Sequence, residues 1–207
     1  IKVGHAGTLD PLATGLVILC TGKFTKQISE IQTQEKEYTG IITLGATTSS
    51  YDLEREIDIE YPTEHITEDL IKETALQFIG EQEQTAPIYS AKKIDGKRAY
   101  EYAREGEEVV IKSNTINIKE FDVAICETPV NENLEDSKIN QETPYQKGIN
   151  IQFRIVCSKG TYIRAIARDF GEKLNSGGHL SVLRRTKIGD YNVEDAVKIE
   201  DIKNIFW

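Results

Sequence analysis

Gly4-His5-Ala6-Gly7-Thr8-Leu9-Asp10-Pro11 is the stretch of this sequence that carries the most information about fold and site. Two glycines and a proline interrupt it and no apolar period runs through it, so it is predicted to be a loop. A residue before proline prefers extended backbone, which predicts a fixed, non-helical conformation for Asp10. Gly4 and Gly7 leave room for a ligand beside the Asp10 carboxylate. Aspartate is also common in turns, so the spacing alone leaves a purely structural role open.

Strand and helix patterns alternate after this loop. The apolar run 15–20 is typical of a buried strand, and a helix is predicted over about 24–31. Residues 37–44 are rich in β-branched and aromatic side chains, which predicts a strand. Thr67 is a good N-cap before two acidic residues, which predicts a helix that stops at Gly80.

The second half of the chain predicts two more helices and a pair of long strands. The helices are expected at 97–105 and 162–174, and strand character returns at 180–193. Residues 115–126 and 149–157 alternate polar and apolar side chains and are joined by a long polar loop at about 128–148. These patterns predict an α+β fold in a single domain over 1–207, with a mainly antiparallel mixed sheet and helices packed on it.

Composition restricts the class of protein. With 207 residues, of which 39% are hydrophobic, the chain can bury a substantial core. Its longest strongly apolar run, 16–20, is far shorter than the roughly 20 residues that a membrane span needs. The three cysteines show no C-x-x-C spacing, which argues against a disulfide framework or a zinc site. We therefore expect a cytoplasmic protein. The sequence also shows neither a metal-ligand cluster nor a phosphate-cradling Gly-rich motif, so we expect no metal and no other cofactor.

Charge is distributed unevenly along the chain. The net charge of −9 argues against a nucleic-acid partner when taken alone, because phosphates are neutralised by Lys and Arg. Residues 49–73, however, hold nine acids and only two bases, while bases cluster at 92–104, 154–168 and 184–187. A basic face on an acidic protein is therefore possible, and ordinary solvated surface charge is the alternative. The acidic segment 49–73 is expected to lie away from any bound nucleic acid.

The loop is part of a longer string that resembles a known family signature. Residues 2–16, KVGHAGTLDPLATGL, are similar to the signature loop of the pseudouridine synthases that act on uridine 55 of transfer RNA. The resemblance continues in KEY at 36–38, PIYSAKK at 87–93, GKRAYEYAREG at 96–106, CSKGTYIR at 157–164, HL at 179–180 and LRR at 183–185. It thus covers nearly the whole chain in the order that the family shows.

The resemblance implies a catalytic trio. Asp10 matches the family nucleophile, whose attack lets the glycosidic bond break and the uracil rejoin through C5; attack at C1′, attack at C6 and a glycal route all stay open. Arg164 matches the arginine that pairs with this aspartate, and a neighbouring positive charge favours an ionised carboxylate. Tyr38 matches the tyrosine that stacks on the extruded base, which needs a new aromatic face. Without the motif, Arg164 would pass as a surface helix charge and Tyr38 as an ordinary strand tyrosine.

The resemblance also implies substrate-binding residues. His5 matches a histidine that enters the RNA loop, Tyr162 a position that contacts the substrate, and Leu183 an apolar wall of the base pocket. The T-arm stem-loop of transfer RNA is the expected partner, with no obligatory protein partner. Basic residues expected to contact its backbone are Lys92, Lys93, Lys97, Arg98, Arg104, Lys159, Arg184 and Arg185.

Two features of the family are not evident in this sequence. Many members begin with a segment that carries a Lys-Pro motif, and because this chain starts at Ile1 and contains no Met we expect such a segment to be missing. Many members also end in an RNA-binding PUA domain. Two rival interpretations stay open: a guide-RNA-dependent enzyme of the same superfamily, and a non-catalytic module that binds and helps to fold transfer RNA. The continuation PLATG at 11–15 and the lack of an evident PUA domain favour the stand-alone enzyme over the guided one.

Overall fold

The computed structural model describes residues 1–90, 92–107, 109–126 and 148–202. In chain order, the strands and α-helices are β1 (Val3–His5), β2 (Thr14–Gly15), β3 (Leu19–Thr21), α1 (Ile28–Thr33), β4 (Lys36–Leu44), β5 (Ala46–Thr48), β6 (Ile57–Glu60), α2 (Glu68–Leu76), β7 (Gly80–Gln84), β8 (Lys93–Ile94), β9 (Lys97–Arg98), α3 (Ala99–Glu105), β10 (Asn114–Ile125), β11 (Ile149–Cys157), α4 (Ile163–Lys173), β12 (Gly178–Ile188) and β13 (Tyr191–Asn192). No helix within these ranges combines the length and the apolar character that crossing a membrane requires.

A seven-stranded sheet organises the molecule. Its strands lie in the order β13-β12-β4-β11-β10-β7, and β2 joins it beside β12. All neighbours run antiparallel except β2, which pairs with β12 in parallel. Three small two-stranded sheets, β1–β3, β5–β6 and β8–β9, lie outside it. The predicted α+β fold with a mainly antiparallel sheet is confirmed.

Helices α2 and α4 cover the sheet and bury its apolar side chains. Phe78, Phe121, Phe153 and Phe170 form a chain of ring contacts with centroids 5.6–6.3 Å apart, a spacing typical of favourable aromatic pairs. Helix α4 approaches β12 so closely that a Cβ on Gly171 would lie 2.4 Å from a backbone nitrogen of β12. This tight packing places the C-terminal part of α4 against β12, and Arg164 lies in the first turn of the same helix.

Several predicted elements occur almost where the sequence pattern placed them. The strands predicted at 37–44 and 149–157 are Lys36–Leu44 and Ile149–Cys157, and the helix predicted at 162–174 is Ile163–Lys173. The helix after Thr67 ends earlier than predicted, at Leu76. The predicted helix 97–105 starts only at Ala99, since the two residues before it form a strand. The predicted polar loop at 128–148 lies outside the described residues, apart from its last residue.

The predicted buried strand at 15–20 is wrong. Two short strands, Thr14–Gly15 and Leu19–Thr21, occupy its ends. Gly15 has a φ of 101°, and a Cβ there would lie 2.3 Å from the backbone oxygen of Arg185. Because the chain turns sharply at this glycine to pair with β12, it cannot continue as one strand. The next element also differs, since a 3₁₀-helix (Gly22–Gln27) precedes α1 where one helix was predicted at 24–31.

Candidate active site

Arg185 holds the loop that carries Asp10. Its side chain is 2% exposed, and its guanidinium donates to three loop carbonyls: Nε to Leu16 O at 2.9 Å, Nη2 to Gly7 O at 3.1 Å and Nη1 to Thr8 O at 3.4 Å. The planar guanidinium has five donors in a fixed geometry and can bridge several carbonyls at once. The loop backbone is thus fixed from inside the protein.

This burial contradicts the prediction that Arg185 contacts RNA phosphates. A side chain that is 2% exposed and bonded to the protein backbone is not available to a phosphate. Side chains alternate between the two faces of a strand, so consecutive Arg184 and Arg185 cannot both point outward. The half-buried Arg184 is the more accessible of the two.

Replacing Arg185 with Lys is expected to lower the free energy of unfolding by roughly 2–3 kcal/mol, because a single ammonium cannot reach all three carbonyls and hydrogen bonds to charged groups are individually strong. Urea unfolding curves of the two proteins measure this difference. The neighbouring Arg184→Lys variant is the control and should unfold like the wild type. Equal stability of Arg185→Lys and wild type would show that the hydrogen bonds from Arg185 to the loop carbonyls contribute little to the free energy of unfolding.

Asp10 and Arg164 form a bidentate ion pair. Arg164 Nε lies 2.9 Å from Asp10 Oδ2 and Nη2 lies 3.0 Å from Asp10 Oδ1. The Asp10 side chain is 35% exposed, whereas the Arg164 side chain is only 4% exposed. Parallel hydrogen bonds of this kind fix direction as well as distance. The carboxylate therefore has a defined orientation and one face open to a ligand.

Arg164 has three further partners that immobilise it. Its Nη1 donates to Ser50 O at 3.3 Å and lies 3.3 Å from Asp52 Oδ2, and its Nη2 donates to Tyr89 O at 3.1 Å. A cation in the first turn of a helix faces the positive end of the helix dipole, so the two carboxylates offset an unfavourable position. Because desolvating charges is costly, we interpret this arrangement as serving orientation rather than stability.

Asp52 was not singled out from the sequence. Its side chain is 6% exposed, and it lies in the acidic segment 49–73 that was expected to lie away from bound nucleic acid. An isolated β-bridge between Asp52 and Leu180 holds this part of the segment next to Arg164. Nothing in the local sequence distinguishes Asp52 from the other acids, since its burial depends on a contact 128 positions away along the chain.

An open cleft of about 620 Å³ lies in front of Asp10. Its lining contains the predicted residues Asp10, Tyr38, Lys159, Tyr162, Arg164, Leu183 and Arg185. Lys36 and Ser90, which belong to the motifs at 36–38 and 87–93 but were assigned no role from the sequence, also line it. Among the described residues, no cluster of three or more His, Cys, Asp or Glu side chains could hold a metal ion. The cleft thus joins one oriented carboxylate to an aromatic and apolar wall.

Two tyrosines flank the carboxylate. Burial raises the pKa of Tyr38 to about 12, and the positive charge of Arg185 opposes this rise only partly. Burial likewise raises the pKa of Tyr162, which occupies the N-cap position of α4. Both phenols are therefore neutral at physiological pH and offer uncharged aromatic rings.

The remaining predicted residues lie outside this cleft lining. His5 is exposed at the end of β1, and Lys92, Lys93, Lys97, Arg98 and Arg104 lie on β8, β9, α3 and the residue before β8. Arg98 and Arg104 both lie near the ring of Tyr100, at 6.0 and 5.2 Å from its centroid. Lys97 pairs with Glu105 and with Glu107, so part of this basic segment is neutralised within the protein.

Comparison with known proteins gives the family. The family model described as TruB family pseudouridylate synthase (N terminal domain) matches residues 1–163, and the one described as tRNA pseudouridylate synthase B C-terminal domain matches 164–207. The chain is 57% identical over 198 residues to a tRNA pseudouridine synthase B of Flavobacterium johnsoniae, covering 96% of this chain and 78% of the relative. It is 53% identical over 200 residues to the protein of that name from Phocaeicola vulgatus, covering 97% and 77%.

Solved structures show the same fold at low identity. A Cbf5-Nop10-Gar1 complex matches with a TM-score of 0.64 and 23% identity, over 99% of this chain and 46% of the matched chain. An H/ACA RNP bound to a substrate RNA containing 2′-deoxyuridine matches with a TM-score of 0.63 and 21% identity, over 99% and 44%. The chain thus spans less than half the length of these structural neighbours. With both family models matched from the first residue to the last, the chain belongs to the TruB family of pseudouridylate synthases.

Proposed function

We propose that this protein converts uridine 55 in the T-loop of transfer RNA to pseudouridine, with Asp10 as the nucleophile. Family membership supports the reaction class, and two relatives above 50% identity are named tRNA pseudouridine synthase B. The observation that carries the proposal is the partly exposed Asp10 carboxylate, held by Arg164 at the floor of the cleft.

The proposed isomerisation requires an oriented carboxylate and space for a nucleotide that has been flipped out of the RNA stack. In the isomerisation the bond from C1′ to N1 of uracil breaks, a bond from C1′ to C5 forms, the C5 proton leaves and N1 regains a proton. A carboxylate nucleophile splits this difficult exchange into easier steps. Arg164 keeps Asp10 in one rotamer, and a cleft of about 620 Å³ is large enough for a nucleotide taken out of its stack.

The base is proposed to lie between Tyr38 and Leu183. Both residues line the cleft, on neighbouring strands β4 and β12, so their relative position is set by the main sheet. A uracil taken out of its stack regains part of the lost interaction from an aromatic face.

The RNA backbone is proposed to contact exposed basic residues around the cleft. Lys159 lines the cleft itself and is exposed, which makes it the best candidate for a phosphate contact. Between residues 92 and 107 five basic residues face four acidic ones, so this segment contributes a weaker field than its lysines and arginines suggest. Arg98 and Arg104 lie beside the Tyr100 ring. Basic residues next to an aromatic ring are the combination that surfaces binding unpaired nucleotides use.

Replacing Tyr38 with Leu is expected to lower kcat/KM roughly ten- to a hundredfold, because stacking of a base on an aromatic ring is worth about 1–3 kcal/mol. Leucine keeps most of the apolar volume, so the fold should persist. Tyr38→Phe is the matched control: it keeps the ring and loses only the phenol, and we expect it to stay within about fivefold of the wild type. Equal losses in both variants would argue against stacking.

The direct test uses an unmodified T-arm stem-loop labelled with tritium at C5 of uridine. Pseudouridine formation releases this tritium to water, and we expect stoichiometric release from the target position. A stem-loop in which uridine 55 is replaced by cytidine should release none. This RNA contains no guide and the assay no further protein, so release would also distinguish a stand-alone enzyme from a guide-dependent one.

Two outcomes would overturn the proposal. Binding of the stem-loop without any tritium release would favour a module that only binds transfer RNA, or an enzyme that depends on a guide. Release from the cytidine control RNA would show that a uridine other than the proposed one is modified.

A further inference from the structure

Lys36 is a buried cation in the lining of the cleft. It begins strand β4, is 8% exposed, and lines the cleft together with Tyr38 and Lys159. Lysine is almost never buried unless a partner compensates its charge. The surroundings of Lys36 therefore show whether its charge serves the fold or a ligand.

Two backbone carbonyls hold the Lys36 ammonium in place. Nζ donates to Gln32 O and to Gln34 O, each at 2.6 Å. Both carbonyls lie at the C-terminal end of α1, where carbonyls without a helical partner attract a cation. An ammonium has three donors, so these bonds fix its position and leave one N–H without a partner among the described residues.

The described part of the chain gives this cation no counter-charge. None of the ion pairs between described residues involves Lys36. Instead, the pairing of Lys36 with Cys157 on β11 brings it close to Lys159, and Arg185 lines the same cleft. Burial lowers the pKa of the Lys36 ammonium, and the positive charge of Arg185 lowers it further. An anion in the cleft would oppose both effects.

A purely structural role does not account for the charge of Lys36. Hydrogen bonds to the two carbonyls at the end of α1 could come from a neutral amide, without the cost of burying an ion. An oriented, buried ammonium that faces a cleft and lacks a carboxylate partner is instead suited to an anionic ligand.

We propose that Lys36 binds a phosphate oxygen in one of the two linkages that flank the target uridine. The inference rests on the proposed function, in which the base stacks on Tyr38. Residues 36 and 38 point to the same face of β4, about 7 Å apart along the strand. In a nucleotide the sugar separates the base from its phosphates, so a base on Tyr38 brings a phosphate within reach of Lys36.

The test is a cycle of protein and RNA changes. Two T-arm stem-loops each carry a neutral methylphosphonate in one of the flanking linkages, with a 2′-deoxy nucleotide before it that keeps the linkage stable. Stem-loops with the same deoxy nucleotide and an ordinary phosphate are the references. Affinities are measured by filter-binding competition, and turnover by tritium release.

We expect the wild type to bind one of the two methylphosphonate RNAs about tenfold more weakly than its reference, as for the loss of one charge-assisted hydrogen bond. Lys36→Met should bind that reference about tenfold more weakly than the wild type does, and should not distinguish it from the methylphosphonate RNA. Both changes remove the same contact, so their effects should not add.

Lys187→Met is the matched control. Lys187 lies on β12, beside β4, but its Nζ lies 3.7 Å from Glu37 Oε2 and it is outside the cleft lining. This variant should keep the tenfold preference of the wild type for the ordinary phosphate. A merely structural effect of Lys36→Met, through a displaced α1, would weaken the binding of both RNAs and leave their ratio unchanged.

Two results would overturn the inference alone. The first is a wild type that binds both methylphosphonate RNAs within twofold of their references, which does not depend on the folding of any variant. The second is a Lys36→Met protein that still prefers the ordinary phosphate about as strongly as the wild type does. A wild type that binds the stem-loop and releases no tritium would instead overturn the proposed function.

Discussion

Replacing Asp10 with Asn is expected to reduce pseudouridine formation at least about 10³-fold, since an amide cannot act as the anionic nucleophile and such losses are typical when a nucleophile is removed. Asparagine has nearly the same shape, so the loop should keep its conformation. Its amide NH₂ group would, however, meet one of the two Arg164 donors that now bond to the carboxylate. Single-turnover tritium release measures the reaction, and filter binding measures RNA affinity, which should change only a few fold.

Asp122→Asn is a matched control for this substitution. Asp122 also pairs with an arginine, at 3.1 Å from Arg154 Nη1, but it lies on β10 with its side chain 72% exposed. It should isomerise RNA at the wild-type rate, since exposed ion pairs contribute little. An Asp10→Asn protein that reacts within tenfold of the wild type would remove Asp10 from the nucleophile role.

The sequence was sufficient to predict the pairing of Asp10 with Arg164, which the structure contains. That prediction came from a string of fifteen residues and a second motif, 157–164, that resemble one family in order and spacing. Most helices and the long strands were also predicted, because each depends on a local period of apolar side chains or on a cap.

The face of the sheet to which each strand side chain points could not be predicted, and Arg185 shows why. A strand alternates its faces, so one member of the pair Arg184 and Arg185 had to point inward. Which one does so is set by the register of β12 against β4 and by the parallel contact with β2. These pairings join residues about 140 to 170 positions apart, and no local pattern encodes them.

The polar contacts around the site could not be predicted from the sequence for the same reason. Asp52 and Gln84 come from two different segments, and each contacts the start of α4 through a residue that is far away in the sequence. Their residue types are unremarkable at these positions in the sequence. Only their burial, with partners far along the chain, marks them as groups that orient Arg164 and Tyr162.

Replacing Arg164 with Lys is expected to lower the isomerisation rate about 10²-fold and the free energy of unfolding by roughly 2–3 kcal/mol, although the positive charge is kept. The guanidinium holds Asp10 through two parallel bonds and also contacts Asp52, Ser50 O and Tyr89 O. A lysine ammonium is a single point with three donors, so it must abandon some of these partners. The carboxylate of Asp10 then samples several rotamers, and only a fraction of them point at the nucleotide.

Arg168→Lys, one helical turn further along α4, is the control for the same chemical change. Arg168 pairs with its neighbour Asp169 and lies 4.8 Å from the centroid of the Tyr51 ring, outside the cleft lining. The rate of this variant should stay near that of the wild type, with a smaller loss of stability. Similar rate losses in both variants would mean that an arginine-to-lysine change slows the reaction wherever it is made on α4. A loss confined to Arg164→Lys would show that the geometry of the guanidinium, beyond its charge, keeps Asp10 ready to react, because both variants keep the charge on the same helix.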